Sequence, residues 1–433
     1  MPNELTSEEP FQALSGSASV TAHAVHKDWL LCHSCGELQK VVALSPEHEM
    51  VCYNCDEVLH SGAVGRVRSA AALAVTALIL FVASNWFPFI TLYIGDQSQS
   101  TTILDGFWAL MDRNQWVLAS LVITTIFLFP LAEIFAFLYL LIPYTYQKHL
   151  PGQAPVLRWL VRAQSWSMLE VFMLSLVVTA VKLADMAVIK LEIGAYTFFA
   201  LVGVLILTFM KLNRRRLWSW LNTNNYFAKD QNEIVYDCRI CQAMVGESLV
   251  DERHACPRCN SAVYKRIPNS IQKTWALVIA AGLLYIPANI LPIMTYSSLG
   301  DVDTDTIFSG VVELLAQGLW GIAGIIFVAS ILVPMAKLII LIYLLLSVQA
   351  GVKSGAKHRA FLLRLTELVG RWSMLDVYVV TILVALVQFG FVYTVEPEPA
   401  IIAFATVVVL TMIAAETFDP RLIWDAVNEK EFE

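Results

Sequence analysis

The sequence predicts an all-α polytopic membrane protein with eight transmembrane helices. They are arranged as a tandem 4+4 repeat of like orientation, with two small cytoplasmic tetracysteine domains of the zinc-ribbon type. Three observations predict this class. Of the 433 residues 57% are apolar and 15% charged, at a mean hydropathy of +0.62, whereas soluble domains carry about 25% charged residues. The apolar residues fall in runs long enough to cross a bilayer, which needs about 20 of them. The eight cysteines form four C-x-x-C pairs, all outside those runs. This composition excludes an ordinary cytosolic enzyme and a disordered chain. A net charge of −7 leaves no basic footprint for nucleic acid.

Residues 1–27 read as a polar, acidic tail (Glu4, Glu8, Glu9) without the basic and apolar regions of a cleaved signal. Residues 28–65 form the first cysteine module and 66–218 the first transmembrane repeat. Residues 219–270 form the second module, 271–424 the second repeat and 425–433 a short tail. The predicted spans are 69–94, 115–142, 166–190 and 194–212, then 273–296, 320–348, 371–393 and 399–417. Motifs recur at a nearly constant spacing. Asn85-Trp-Phe-Pro88 and Asn289-Ile-Leu-Pro292 lie 204 positions apart, as do Pro130 and Pro334. Trp166-Ser-Met-Leu-Glu170 and Trp372-Ser-Met-Leu-Asp376 lie 206 apart, as do Trp218 and Trp424. Four spans per copy is an even number, so both copies share one orientation and are related by an axis along the membrane normal.

Lysines and arginines gather on one side: Arg66, Arg68, Lys148, Arg158, Arg162, Arg214 to Arg216, Lys265, Arg266, Lys353, Lys357 and Arg359. The opposite loops are acidic, with Asp96, Asp105, Asp112, Asp301, Asp303, Asp305, Glu396 and Glu398. The positive-inside rule then places both termini and both cysteine modules in the cytoplasm.

Cys32-His-Ser-Cys35 is followed by Cys52-Tyr-Asn-Cys55, and Cys238-Arg-Ile-Cys241 by Cys256-Pro-Arg-Cys259. Two such turns close a tetrahedron of thiolates around one ion. The spacing fits structural zinc, two ions in all, and equally a rubredoxin-like iron.

Ionisable residues inside spans face a cavity or a partner by default. Lys182 and Asp185 share a helix face in the third span, where they are either a self-neutralised pair or functional. Glu133 follows Pro130 by three residues, and Lys337 follows Pro334 by three. The two positions correspond but carry opposite charge. Glu170 and Asp376 correspond near the cytoplasmic ends of their spans, as caps or as site residues. Ser330, Ser373 and Thr411 are polar neighbours expected for Lys337. Pro88, Pro130, Pro292 and Pro334 interrupt spans at matched places, either as benign kinks or as the broken helices of a transport site. HExxH, GxSxG and dinucleotide fingerprints are absent, and Gly351 to Lys357 lacks the glycine spacing and hydroxyl of a phosphate loop. The chain is not expected to be an enzyme.

Over residues 30–425 the chain resembles the paraquat-inducible protein A family of Gram-negative inner membranes. The resemblance rests on the two tetracysteine modules, Asn-x-x-Pro at Asn85 and Asn289, Ile331-Leu-Val-Pro-Met-Ala-Lys337 and Arg371-Trp-Ser-Met-Leu-Asp376. The first-half copy of the last motif departs from it, with Ser165 for Arg371 and Glu170 for Asp376. The resemblance implies transport of phospholipid or another lipid between inner and outer membranes, with a periplasmic MCE-domain tunnel protein as partner. It also implies two cytoplasmic zinc ribbons and a proton-coupled mechanism. The rival readings are a membrane anchor that only holds the partner, and a redox protein built on rubredoxin-type iron.

Overall fold

The computed structural model describes residues 29–40, 49–61, 67–94, 97–164, 166–183, 188–212, 214–222, 226–227, 235–298, 301–316, 318, 320–386 and 393–428. The first cysteine module consists of two hairpins, β1 (Trp29–Leu31) with β2 (Leu38–Lys40) and β3 (Glu49–Val51) with β4 (Val58–Ser61). The first repeat opens with α1 (Val67–Trp86), which leads into β5 (Ile90–Ile94), β6 (Gln97–Thr101) and α2 (Ile103–Asp112). A long helix follows, made of α3 (Trp116–Ile123), a π-helical turn at Thr124–Leu128 and α4 (Phe129–Thr145). Then come α5 (Gln153–Ala163), α6 (Leu169–Leu183), β7 (Val188–Leu191), α7 (Ile193–Lys211) and α8 (Arg214–Leu221). The second module holds β8 (Tyr226–Phe227), β9 (Val235–Asp237), β10 (Met244–Gly246) and α9 (Glu247–Arg253).

The second repeat copies this order with α10 (Ser270–Ile290), β11 (Met294–Ser298), β12 (Asp301–Asp305) and α11 (Ile307–Ala316). Next are α12 (Trp320–Phe327), a π-helical turn at Val328–Leu332, α13 (Val333–Gln349) and α14 (Ala356–Gly370). A 3-10 turn at Arg371–Met374, α15 (Leu375–Leu386), β13 (Tyr393–Pro397), α16 (Ala400–Thr417) and α17 (Leu422–Asn428) complete it.

The likeness of the halves extends to their local devices. Asp105 accepts the Thr102 N–H at 2.5 Å at the start of α2. At the start of α11, Thr306 and Ser309 exchange the same bonds at 2.8 and 3.1 Å. Each cap satisfies backbone donors that a first helical turn leaves open. In both π turns an N–H reaches five residues back, Phe129 to Thr124 and Val333 to Val328. The cause is the proline that follows. Pro130 and Pro334 have no N–H and would press on the carbonyl four residues earlier, and the wider turn relieves both problems.

Six helical stretches are long and apolar enough to cross a membrane: Ser69–Trp86, Trp116–Thr145, Ile193–Lys211, Ser270–Ile290, Ala323–Gln349 and Ala400–Thr417. The third and seventh predicted spans contain α6 and α15, of 15 and 12 residues, which at about 1.5 Å per residue fall short of a ~30 Å hydrocarbon core. The protein is mostly helical rather than all-α. Beyond the two modules it carries two three-stranded antiparallel sheets, β6-β5-β7 and β12-β11-β13. The first and fifth apolar runs leave the helix at Trp86 and Ile290 and continue as β5 and β11. Pro88 and Pro292 therefore end helices instead of interrupting them. The helix-internal prolines are Pro143 and Pro287. Gly194 lets α7 approach the Pro88 turn, because a Cβ there would lie 2.6 Å from two carbonyl oxygens.

Within each half the first and last long helices pack together, α1 with α7 and α10 with α16. The halves meet where α6 lies against α15. There Ser175 donates to the Leu375 carbonyl at 3.1 Å, Tyr378 donates to Thr125 Oγ1 at 2.9 Å, and Phe172 meets Tyr378 edge-on.

Candidate functional site

The cysteines form two buried four-thiol groups. Cys32 and Cys55 lie 3.6 Å apart, as do Cys35 and Cys52. Cys238–Cys259 and Cys241–Cys256 are each 3.5 Å apart. A disulfide needs about 2.05 Å. Four thiolates about 2.3 Å from a common centre stand near the observed separations, so each group fits a tetrahedral ion. The turns suit the role. Cys32 and Cys52 carbonyls accept the N–H of Gly36 and Asp56, and Cys238 and Cys256 those of Gln242 and Asn260. These four acceptor turns close on residues with positive φ, which glycine, asparagine and aspartate tolerate best. Gln39 donates to the Cys52 sulfur at 3.0 Å, and such outer bonds orient ligands.

Each module docks on the opposite repeat, and the second also binds the end of its own. Arg364 on α14 holds the first module: it donates to the Cys55 carbonyl and, at 3.2 Å, to that of Asp56, and it pairs with Glu57 at 3.2 Å. Arg158 on α5 holds the second module, donating to the Cys259 and Asn260 carbonyls at 3.1 and 2.8 Å. The two arginines are 206 positions apart and grip the same place on each module, the last cysteine and the residue after it. Sequence reasoning used Arg158 only as a cytoplasmic charge and did not single out Arg364. Their identical spacing was the signal that paired them.

Asp419 ties the second module to the end of α16. It accepts from Arg239 at 3.0 Å, from Arg421 at 3.0 and 3.1 Å and from the Ile267 N–H at 3.0 Å. Burial alone would raise its pKa, but the two guanidiniums and the backbone donor hold the carboxyl below the usual range. Asp237, fully enclosed, is pushed up to about 8 by burial and by the Cys238 sulfur.

Lys337 is 2% exposed and donates to Thr411 Oγ1 on α16 at 2.7 Å. Thr411 in turn donates to the Val408 carbonyl at 2.9 Å. The lysine tip lies against Gly370, where a Cβ would stand 3.6 Å from Nζ. Ser330 and Ser373 are buried without a hydrogen-bond partner, on the π turn and the 3-10 turn that touch each other. Of the neighbours predicted for Lys337, Thr411 on α16 is the one shown bonded to it. Lys182 and Asp376 lie on α6 and α15, and their side chains fall outside the described structure, as does Asp185 altogether.

In the first half Glu133 is fully buried, and neither carboxylate oxygen has a partner among the described residues. With Gln164, Ser167 and Glu170 it lines a cavity of about 50 Å³. A cavity of about 590 Å³ at the cysteine end separates the halves, bordered by Gln164 on one side and by Glu367, Gly370, Met412 and Glu416 on the other. Glu367 faces this cavity. Surrounding protein pushes its carboxyl up to about 7, through burial first and then through Glu57 and Glu416, while Arg239 and Arg364 pull it down. A third cleft of about 540 Å³ lies between α3, its π turn and α16. It is lined by Val117, Leu121, Phe129, Trp166, Ile402 and Val409 among others, with Ser120, Thr124, Thr125 and Thr406 as its hydroxyls.

The family model described as Paraquat-inducible protein A matches the chain twice, over residues 67–222 and 271–428. The chain belongs to the paraquat-inducible protein A family. The double match falls on the two repeats. The chain is 32% identical to the Intermembrane transport protein PqiA of Escherichia coli K12 over 93% of its length and 97% of that protein's. It is 30% identical to the Lipophilic envelope-spanning tunnel protein A of the same strain, over 92% of each. It is 29% identical to the Probable intermembrane transport protein of Haemophilus influenzae, over 93% and 97%. No solved structure matches.

Proposed function

We propose that this family member is the inner-membrane subunit of a system that moves lipid between the inner and outer membranes. It would work with a periplasmic MCE-domain partner and draw on protons. The observation that carries the reading is the cleft between α3 and α16. Its walls are apolar, it lies at the seam of the two repeats, and it is wide enough for a hydrocarbon chain. Relatives named for intermembrane transport support it. In this reading α6 with β7, and α15 with β13, complete the path between the two ends, giving eight crossings. Both termini and both modules then face the cytoplasm and the sheets face the partner, as the basic loops require.

The buried lysine supplies the energetic handle. An ammonium in a lipid-free pocket with one hydroxyl partner is costly. Taking up or releasing a proton there changes the charge that the α13–α16 contact must accommodate and so biases two packings of the bundle. The Cys₄ groups would hold zinc, whose four sulfur ligands leave no open position and whose role is structural. They clamp the repeats to each other.

The test is transfer of a labelled phospholipid from vesicles containing the protein to its purified MCE-domain partner. Transfer that depends on a proton gradient supports the proposal. Binding of the partner without transfer would reduce the protein to an anchor. Metal analysis decides the ion: two colourless zinc ions per chain are expected, and iron with visible absorbance would favour redox chemistry.

A further inference from the structure

The environment of Glu133 is a second copy of the Lys337 site. Glu133, Gln164, Ser167 and Glu170 stand 204 to 206 positions before Lys337, Gly370, Ser373 and Asp376. In the second half, glycine leaves room for the long lysine, which reaches Thr411. In the first half the shorter glutamate stops early and leaves the 50 Å³ cavity in front of it. That is space for a water molecule, beside polar groups that could bind one.

We propose that Glu133 is a proton-binding site of the first half, filled from the cysteine-module end past Gln164. Three observations carry this. The carboxyl is fully buried and has no counter-charge among the described residues, so the neutral acid is the form that fits without one. Glu170 on α6 is the charged group that faces it, while α7 offers Val202, Leu205, Ile206 and Phe209 and the chain after α5 offers Gln164 and Ser167. Gln164 borders both the small cavity and the 590 Å³ one, so its side chain forms the wall between them. Across that larger cavity Gly370 and Met412 border Lys337. The larger cavity thus borders Gln164 beside the Glu133 pocket on one side and Gly370, which the Lys337 tip approaches, on the other. This deepens the proton-coupled reading, and its test uses no lipid movement, so the two can fail separately.

The experiment is infrared spectroscopy of the full chain in lipid nanodiscs, combined with dicyclohexylcarbodiimide labelling, which requires a protonated carboxyl in apolar surroundings. The wild type is expected to show the carbonyl band of a protonated acid. The band should be lost in Glu133→Gln, kept in Glu133→Asp, and shifted promptly on transfer to D₂O. Gln164→Trp should fill the neck and slow that shift without removing the band. Mass spectrometry of the labelled wild type should place the adduct on Glu133. A wild type without the adduct, or a wild-type-minus-Glu133→Gln difference spectrum without a protonated-acid band, overturns the site. A D₂O shift that Gln164→Trp leaves unchanged overturns the route.

Discussion

The two repeats share their sheets, caps, π turns and docking arginines, yet differ at one buried position. Lys337 has a hydroxyl partner and a glycine that makes room for it, whereas Glu133 has a cavity and no partner. Duplication kept what the backbone requires, since every polar group in lipid must be satisfied internally. It released what the backbone does not require, the sign of the buried charge. The difference makes these side chains the ones to test.

The largest expected effect separates the cost of a buried charge from its use. Lys337→Met should leave stability unchanged or raise it by about 1–4 kcal/mol, because a buried ionic group is replaced by a hydrophobe of similar volume. Lipid transfer should nevertheless be lost. Unimpaired transfer would make the lysine structural and erase the contrast. Thr411→Val should instead destabilise the second half by about 1.5–3 kcal/mol, the worth of a hydrogen bond to a charged donor, read from denaturant unfolding in detergent.

The next comparison concerns docking. Arg364→Ala should loosen the first module and Arg158→Ala the second, each by about 1.5–3 kcal/mol of local opening. Hydrogen exchange over 29–61 and 235–263 reads the two separately. If each variant loosened the module that precedes its own repeat, the reciprocal docking would be wrong. Cys55→Ser should lower bound metal from two ions to one and increase exchange along α14 more than along α5.

The smallest effect is a pH dependence from Glu367 in the second half. Glu367 titrates near 7 in the folded chain and near 4.5 unfolded. Between these values the folded state binds more protons, so the contribution of this group is complete below the unfolded value and fades as pH rises toward 7. Glu367→Gln should flatten that part of the stability profile. The equivalent residue, Val161, predicts no such slope from the first half.

Local chemistry fixed much in advance. The duplication, the four-thiol groups and the long spans are visible because each depends on residues close in sequence or on composition alone. The lengths of the third and seventh helices were overestimated, and β5 and β11 missed, because hydropathy measures burial and does not distinguish a helix from an extended strand. Pro88 and Pro292 read as kinks for the same reason: a proline within an apolar run looks alike whether the helix resumes or ends.

The sequence by itself determined that a doubled membrane scaffold carries two ion-binding thiol sets and a few charges in apolar surroundings, since those follow from patterns along the chain. Only the tertiary structure decided that each module crosses to the other repeat, that Lys337 meets Thr411, and that Gln164 stands between two cavities. Such relations join residues as much as 309 positions apart. They depend on how helices pack, and no periodicity along the chain encodes that packing.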